Sequence, residues 1–130
     1  MKFYLSALLM LFLLLPAQGY AQGSWEKLGE RVVTNHGKNV INCTSKGTFK
    51  ALKIKVENED VEFNDITVEF LNGAEQKLNI RQYIREGSES RAIDLRGNKR
   101  VIKKVIFDCH PKDGKKSKGK NKPRIILYGR

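Results

Sequence analysis

Apolar and polar residues alternate with a period of two through most of this chain, and turn-forming residues interrupt the alternation every few positions. Leu52, Ile54 and Val56 are separated by Lys53 and Lys55, with Glu57 following; Ile66, Val68 and Phe70 are separated by Thr67 and Glu69. Successive side chains of a strand point to opposite faces, so this spacing predicts half-buried strands with one apolar and one charged face. The same pattern predicts strands over 28–33, 39–43, 77–80, 92–95, 101–109 and 124–128, with a turn at Asn35-His36-Gly37-Lys38. Asn72-Gly73 is read as the left-handed pair of a tight type I′ hairpin. Between Arg81 and Glu89 the period is lost, and a short helical turn over 82–85, ended by Gly87, is expected there. No stretch sustains a period of 3.6. Seven or eight short strands without a long helix predict an all-β fold, either an antiparallel β-sandwich or a partly open barrel.

The N-terminus departs from this pattern. Lys2 is followed by an uncharged, leucine-dominated run from Leu5 to Leu15, then Pro16, and the small residues Gly19 and Ala21 flank Tyr20. This is the layout of a signal peptide, expected at 1–21 with cleavage after Ala21, leaving 22–130 as a single domain. The apolar run is shorter than the roughly 20 residues a bilayer span needs. An exported protein, periplasmic or secreted, is therefore expected. In that setting Cys43 and Cys109 are expected to form a disulfide, which would remove on the order of 4 kcal/mol of unfolded-state freedom. Two buried free thiols are the alternative.

Charge narrows the partners more than the chemistry. The chain holds 25 Lys+Arg against 14 Asp+Glu, and such an excess attracts acidic glycans, lipopolysaccharide, nucleic acid or anionic headgroups with little selection among them. Six lysines, Lys112, Lys115, Lys116, Lys118, Lys120 and Lys122, fall within 110–123, which is read as a basic loop joining the last two strands. They are candidate anion-binding residues, the bland reading being a solvated loop. No aromatic is interleaved among them, which argues against base recognition. Arg81 and Arg85, with Arg91, Arg96 and Arg100, form a second basic group, interspersed with Glu86, Glu89 and Asp94. Either an anion pocket or local ion pairing follows from that mixture.

Catalytic chemistry has little support. His36 and His110 lack the close spacing of a zinc site, so no metal and no cofactor is expected. Cys109 and His110 are adjacent on a strand and point to opposite faces, unsuited to a nucleophile pair. Asp65, Asp94 and Asp108 are scattered acids, and no nucleophile elbow, zinc-protease helix, phosphate-binding glycine loop or calcium-loop pattern occurs. The chain is expected not to be an enzyme, an exported hydrolase with an unrecognised site being the alternative. Trp25, Tyr83 and Tyr128 could stack on a sugar ring. Asn42-Cys43-Thr44 matches an N-glycosylation pattern that matters only on a eukaryotic secretory route.

In order along the chain, Leu28-Gly29, Lys53-Ile54-Lys55-Val56, Val68-Glu69-Phe70, Leu78-Asn79-Ile80, Ile84-Arg85-Glu86-Gly87, Ile93-Asp94-Leu95, Lys99-Arg100-Val101, Ile106-Phe107 and Ile125-Ile126-Leu127-Tyr128-Gly129 resemble a family of small exported bacterial proteins grouped as a domain of unknown function. The resemblance implies an exported β-rich fold of the bacterial envelope and brings no activity, ligand or catalytic residue. The expectation is a non-enzymatic binding or interaction module with a basic surface for anionic envelope or extracellular polymers. An inhibitor or accessory subunit docking on another exported protein is the second expectation.

Overall fold

The structure, a computed structural model, describes residues 24–34, 37–43, 47–78, 82–111 and 122–130. The expected signal peptide at 1–21 lies outside the described residues. Nine strands follow in order: β1 (Glu26–Val32), β2 (Gly37–Asn42), β3 (Ala51–Glu57), β4 (Val61–Phe70), β5 (Glu75–Leu78), β6 (Gln82–Ile84), β7 (Ile93–Asp94), β8 (Ile102–Pro111) and β9 (Arg124–Gly129). They form two antiparallel sheets. One has the order β1-β9-β3-β7; the other has β2-β8-β4-β5, with β6 also pairing with β4. Both sheets keep free edges, so the fold is an all-β sandwich and not a closed barrel.

Alternation builds the core as the sequence predicts. Leu52, Ile54 and Val56 of β3, Ile66, Val68 and Phe70 of β4, Val105, Phe107 and Cys109 of β8, and Ile125 and Leu127 of β9 are all buried. Phe63 and Phe107 meet edge to face across the β4–β8 ladder with ring centroids 6.0 Å apart, an arrangement worth about 0.5–1.5 kcal/mol beyond its buried area. The sheets approach closely where β1 crosses β2: a Cβ on Gly29 would lie 2.5 Å from Ile41 Cγ2, so that crossing requires glycine.

Four local expectations are corrected. Residues 82–84 form β6, paired with Val61–Phe63, in place of a helical turn; Ile84 is buried and Tyr83 donates its hydroxyl hydrogen to Asp60 Oδ2 at 2.7 Å, so side-chain anchoring overrides the missing period. The 70–74 connection is a three-residue loop, not a type I′ turn. Gly73 N donates to Phe70 O at 2.9 Å and Phe70 N to Ala74 O at 2.8 Å, and only Gly73 has positive φ (+92°), Asn72 taking an ordinary backbone conformation. This is a type I turn closed by a glycine bulge. At the expected basic loop, His110 and Pro111 belong to β8 and pair with Glu62 and Val61, while Pro123 O accepts from Val33 N at 2.8 Å.

The fourth correction concerns the disulfide. Cys43 and Cys109 are both free. Cys109 pairs with Gly37 at one end of the β2–β8 ladder, whereas Cys43 N donates to Lys103 O at the other. Six residues of extended β8 separate those positions, about 20 Å at 3.3 Å per residue, far beyond the reach of a disulfide.

Antiparallel pairing gives the sandwich two distinct ends. One gathers the starts of β1, β3 and β8, the ends of β4 and β9, and β7. At the other lie the ends of β1, β3 and β8, the starts of β4 and β9, and β6.

Candidate anion-binding end of the sandwich

On the flat faces of the sandwich, several cations are matched by acids. Outside the β1-β9-β3-β7 sheet, Glu30 pairs with both Lys27 and Arg124, Lys53 with Glu89 at 3.1 Å and Lys55 with Glu57 at 3.8 Å. Those two cations hold the Glu30 carboxyl below its ordinary value, Lys27 contributing most. Outside the other sheet, Lys104 pairs with Glu69 at 3.3 Å, and His110 Nε2 lies 3.4 Å from Glu62. Exposed pairs of this kind contribute little stability.

The first-named end gathers five cations. Lys50, Arg96, Lys99 and Arg130 are exposed there and Arg100 is half-buried, and none of the ion pairs above involves them. Backbone pairing draws them together from three parts of the chain. Lys50 N donates to Arg130 O at 2.7 Å, and Leu95 N to Lys50 O at 2.8 Å. Phe49 and Arg100 exchange two backbone hydrogen bonds of 2.8 and 2.9 Å. Gly97 and Asn98, with φ of +83° and +70°, turn the chain between Arg96 and Lys99. The buried Gln76 side chain fixes this turn: its Oε1 accepts from Arg96 N at 2.8 Å and its Nε2 donates to Asp94 O at 3.4 Å. Arg100 is held with its guanidinium 3.8 Å over the Phe70 ring, and Nη1 donates to Arg96 O at 3.1 Å.

Two neighbouring clefts open here and share Lys99. The larger, about 540 Å³, is lined by Ser24, Thr48, Lys50, Asp94, Lys99 and Arg130. Three cations and two hydroxyls face one carboxylate, a donor set suited to carboxylate, sulfate or phosphate. The smaller, about 320 Å³, is lined by Phe70, Leu71, Asn72, Lys99, Arg100 and Val101. A third cleft, about 240 Å³, lies toward the opposite end among Glu62, Phe63, Asn64, Gln82 and Tyr83 and has no cationic lining residue.

Of the three rings considered for sugar stacking, Trp25 and Tyr128 come together and Tyr83 does not. Lys53 Nζ lies 4.6 Å from the Trp25 ring centroid and 5.8 Å from that of Tyr128, and the Arg130 guanidinium is 4.6 Å from Trp25. The indole thus already holds two cations, and it steadies Arg130 at the mouth of the larger cleft. Tyr83 sits on the other sheet, bonded to Asp60.

The described arginines singled out in the sequence divide between the two ends. Arg96 and Arg100 belong to the cationic end, whereas Arg85 is exposed in the turn after β6 at the opposite end. Lys122 is also at the opposite end, where its carbonyl accepts from Asn58 Nδ2 at 3.2 Å. Arg81, Lys112, Lys115, Lys116, Lys118 and Lys120 lie outside the described residues. Lys50, Lys99 and Arg130 were not singled out by sequence as a group, because no local spacing links residues that only the β3–β9 pairing and the Phe49–Arg100 bridge bring together. Among the candidate acids, Asp65 and Asp108 face each other across the β4–β8 ladder, while Asp94 lines the larger cleft on the other sheet. Among the described residues no group of three or more His, Cys, Asp or Glu side chains is arranged to hold a metal ion.

The fold and this end define an open antiparallel β-sandwich with a cationic rim. Residues 7–129 match the family described as Domain of unknown function (DUF2541), and the chain belongs to that family. No curated protein matches the chain. Among solved structures the chain is similar to AlgX of Pseudomonas aeruginosa, at 12% identity over 81% of this chain and 26% of that one, with a TM-score of 0.48. The chain thus spans about a quarter of that protein. It is also similar to a mutant family 29 carbohydrate-binding module, at 11% identity over 82% of this chain and 87% of that one, with a TM-score of 0.33. No helix among the described residues is long and apolar enough to cross a membrane.

Proposed function

We propose that this protein is an exported, non-enzymatic binding module that holds anionic groups of envelope or extracellular polymers at the cationic end of its sandwich. The observation that carries the reading is the convergence of Lys50, Lys99 and Arg130 around one cleft. The chain ahead of Gln22 supports export.

The test is retention of the mature protein on heparin and on acidic envelope polysaccharide across a salt gradient. Wild type elutes late, and a Lys50→Ser/Lys99→Ser/Arg130→Ser variant elutes earlier. If about three anionic contacts are lost, the log–log salt slope becomes shallower by about 2–3. Equal elution of the two proteins, both folded by circular dichroism, refutes the site. A partner from the cell envelope held equally at about 50 and about 300 mM salt would instead indicate a protein–protein interface.

A further inference from the structure

We propose that the cationic end docks on an anionic lipid bilayer, with Leu71 entering the headgroup layer while Arg96, Lys99 and Arg100 meet lipid phosphates. The inference rests on the anion-binding reading for its charge and goes beyond it in naming a surface that presents both charge and an apolar layer.

Leu71 is 66% exposed at the tip of the β4–β5 hairpin. A single exposed leucine is ordinary on a soluble protein, but two features set this one apart. The other exposed large apolar residue among the described ones, Val32, is 37% exposed and lies at the opposite end of the sandwich. Leu71 also stands beside cations, lining the smaller cleft with Lys99 and Arg100.

The tip is held outward by hydrogen bonds on both sides. Leu71 N donates to Val101 O at 3.0 Å, Asn72 Oδ1 accepts from Ala74 N at 3.0 Å, and the Phe70–Ala74 and Gly73–Phe70 bonds close the loop. Leu71 therefore reaches an interface without first ordering a loop. Arg100 lies along Phe70 behind the tip, which places a cation with an apolar underside at the depth where headgroup phosphates would sit. A dissolved acidic polymer would engage the cations and leave Leu71 in water. An anionic bilayer uses both, since membrane-surface binding adds buried apolar area to attraction between Lys or Arg and anionic lipid.

The test is co-sedimentation of the mature protein with vesicles of phosphatidylglycerol and phosphatidylcholine, against vesicles of phosphatidylcholine alone. Binding is expected to the first and not to the second, with Leu71→Ser weakening it about tenfold while heparin retention stays at the wild-type salt. Leu71→Trp is expected to bind at least as tightly, its added indole emission shifting to shorter wavelength on anionic vesicles. If Leu71→Ser binds the vesicles as wild type does, or the added indole shows no shift, the lipid inference is overturned and the anion site stands. Loss of both heparin retention and vesicle binding in the wild-type protein would overturn both. Anionic vesicles ignored while heparin is retained would leave a soluble polymer as the partner and refute docking.

Discussion

At the scale of single residues, the two cysteines show how burial replaces the covalent role expected of them. Desolvation pushes the Cys43 thiol up to about 11 and the Cys109 thiol up to about 12; at Cys109 a hydrogen bond from Asn39 Nδ2, 3.7 Å from Sγ, acts in the opposite direction. A thiol whose folded value exceeds its unfolded value binds its proton more tightly in the native state. Its stabilising contribution is complete below the unfolded value near 8.5 and fades as pH rises toward the folded one. Stability should therefore fall between about pH 9 and 12 more steeply in wild type than in Cys109→Ala, as urea midpoints across that range would show. A parallel fall in both proteins would contradict it. Cys109 should also resist thiol-labelling reagents at pH 8 until the chain unfolds, because the reactive thiolate is scarce and enclosed. Gly29 gives a residue-scale test of packing. Gly29→Ala drives a methyl against Ile41 and should cost about 1–3 kcal/mol by chemical denaturation, the range for overpacking a closed site.

At the scale of elements, alternation made most strands legible and failed where an irregularity resets it. β4 illustrates both. The sequence pattern showed its second half, Ile66 to Phe70, but not its first, because Val61 and Phe63 are out of phase with Ile66. A bulge between Phe63 and Asp65 restores the phase, with Asn64 as the extra residue opposite the Cys109–Asp108 step. β6 was illegible for another reason: three residues carry no period, and its strand is fixed by Ile84 burial and the Tyr83–Asp60 bond rather than by pattern. The hairpin at Asn72-Gly73 was legible as a turn but not as its type, since the choice depends on loop length. The β4 bulge makes a prediction with a built-in control. Deleting Asn64 leaves Val61-Glu62-Phe63-Asp65-Ile66 in unbroken alternation, so the sandwich should fold with stability within about 1 kcal/mol of wild type, bulges being local irregularities in a ladder. Deleting Thr67 shifts Val68 and Phe70 to the outer face and should abolish the cooperative transition, since one-residue slips invert a strand. Circular dichroism and urea unfolding of the two deletions distinguish these outcomes.

At the scale of the whole molecule, the fold class followed from local pattern while the candidate site did not. Thr48, Lys50, Asp94, Lys99 and Arg130 are spread over more than eighty positions, and charge counting could say only that some basic surface exists. The structure also sets Lys122 and the cationic cleft at opposite ends of the sandwich. Pro111 and Lys122, which flank the remaining lysines of the 110–123 stretch, lie at the end opposite the cationic cleft. The ten residues of β8 run between the ends, about 30 Å at 3.3 Å per residue. A ligand shorter than that span can meet the cleft or Lys122, but not both, whereas a long acidic polymer can meet both, and linked contacts raise affinity without any new chemistry. Changing all six lysines to serine should therefore leave the binding of a short acidic oligosaccharide at the cleft unchanged. The same change should weaken binding of the long polymer and flatten its salt slope by about 4–5 if every lysine meets a charge. Titrations of one protein with short and long chains of the same polymer, at several salt concentrations, decide the matter: equal slopes for both lengths would mean that the lysines only solvate their segment and that the cleft binds alone.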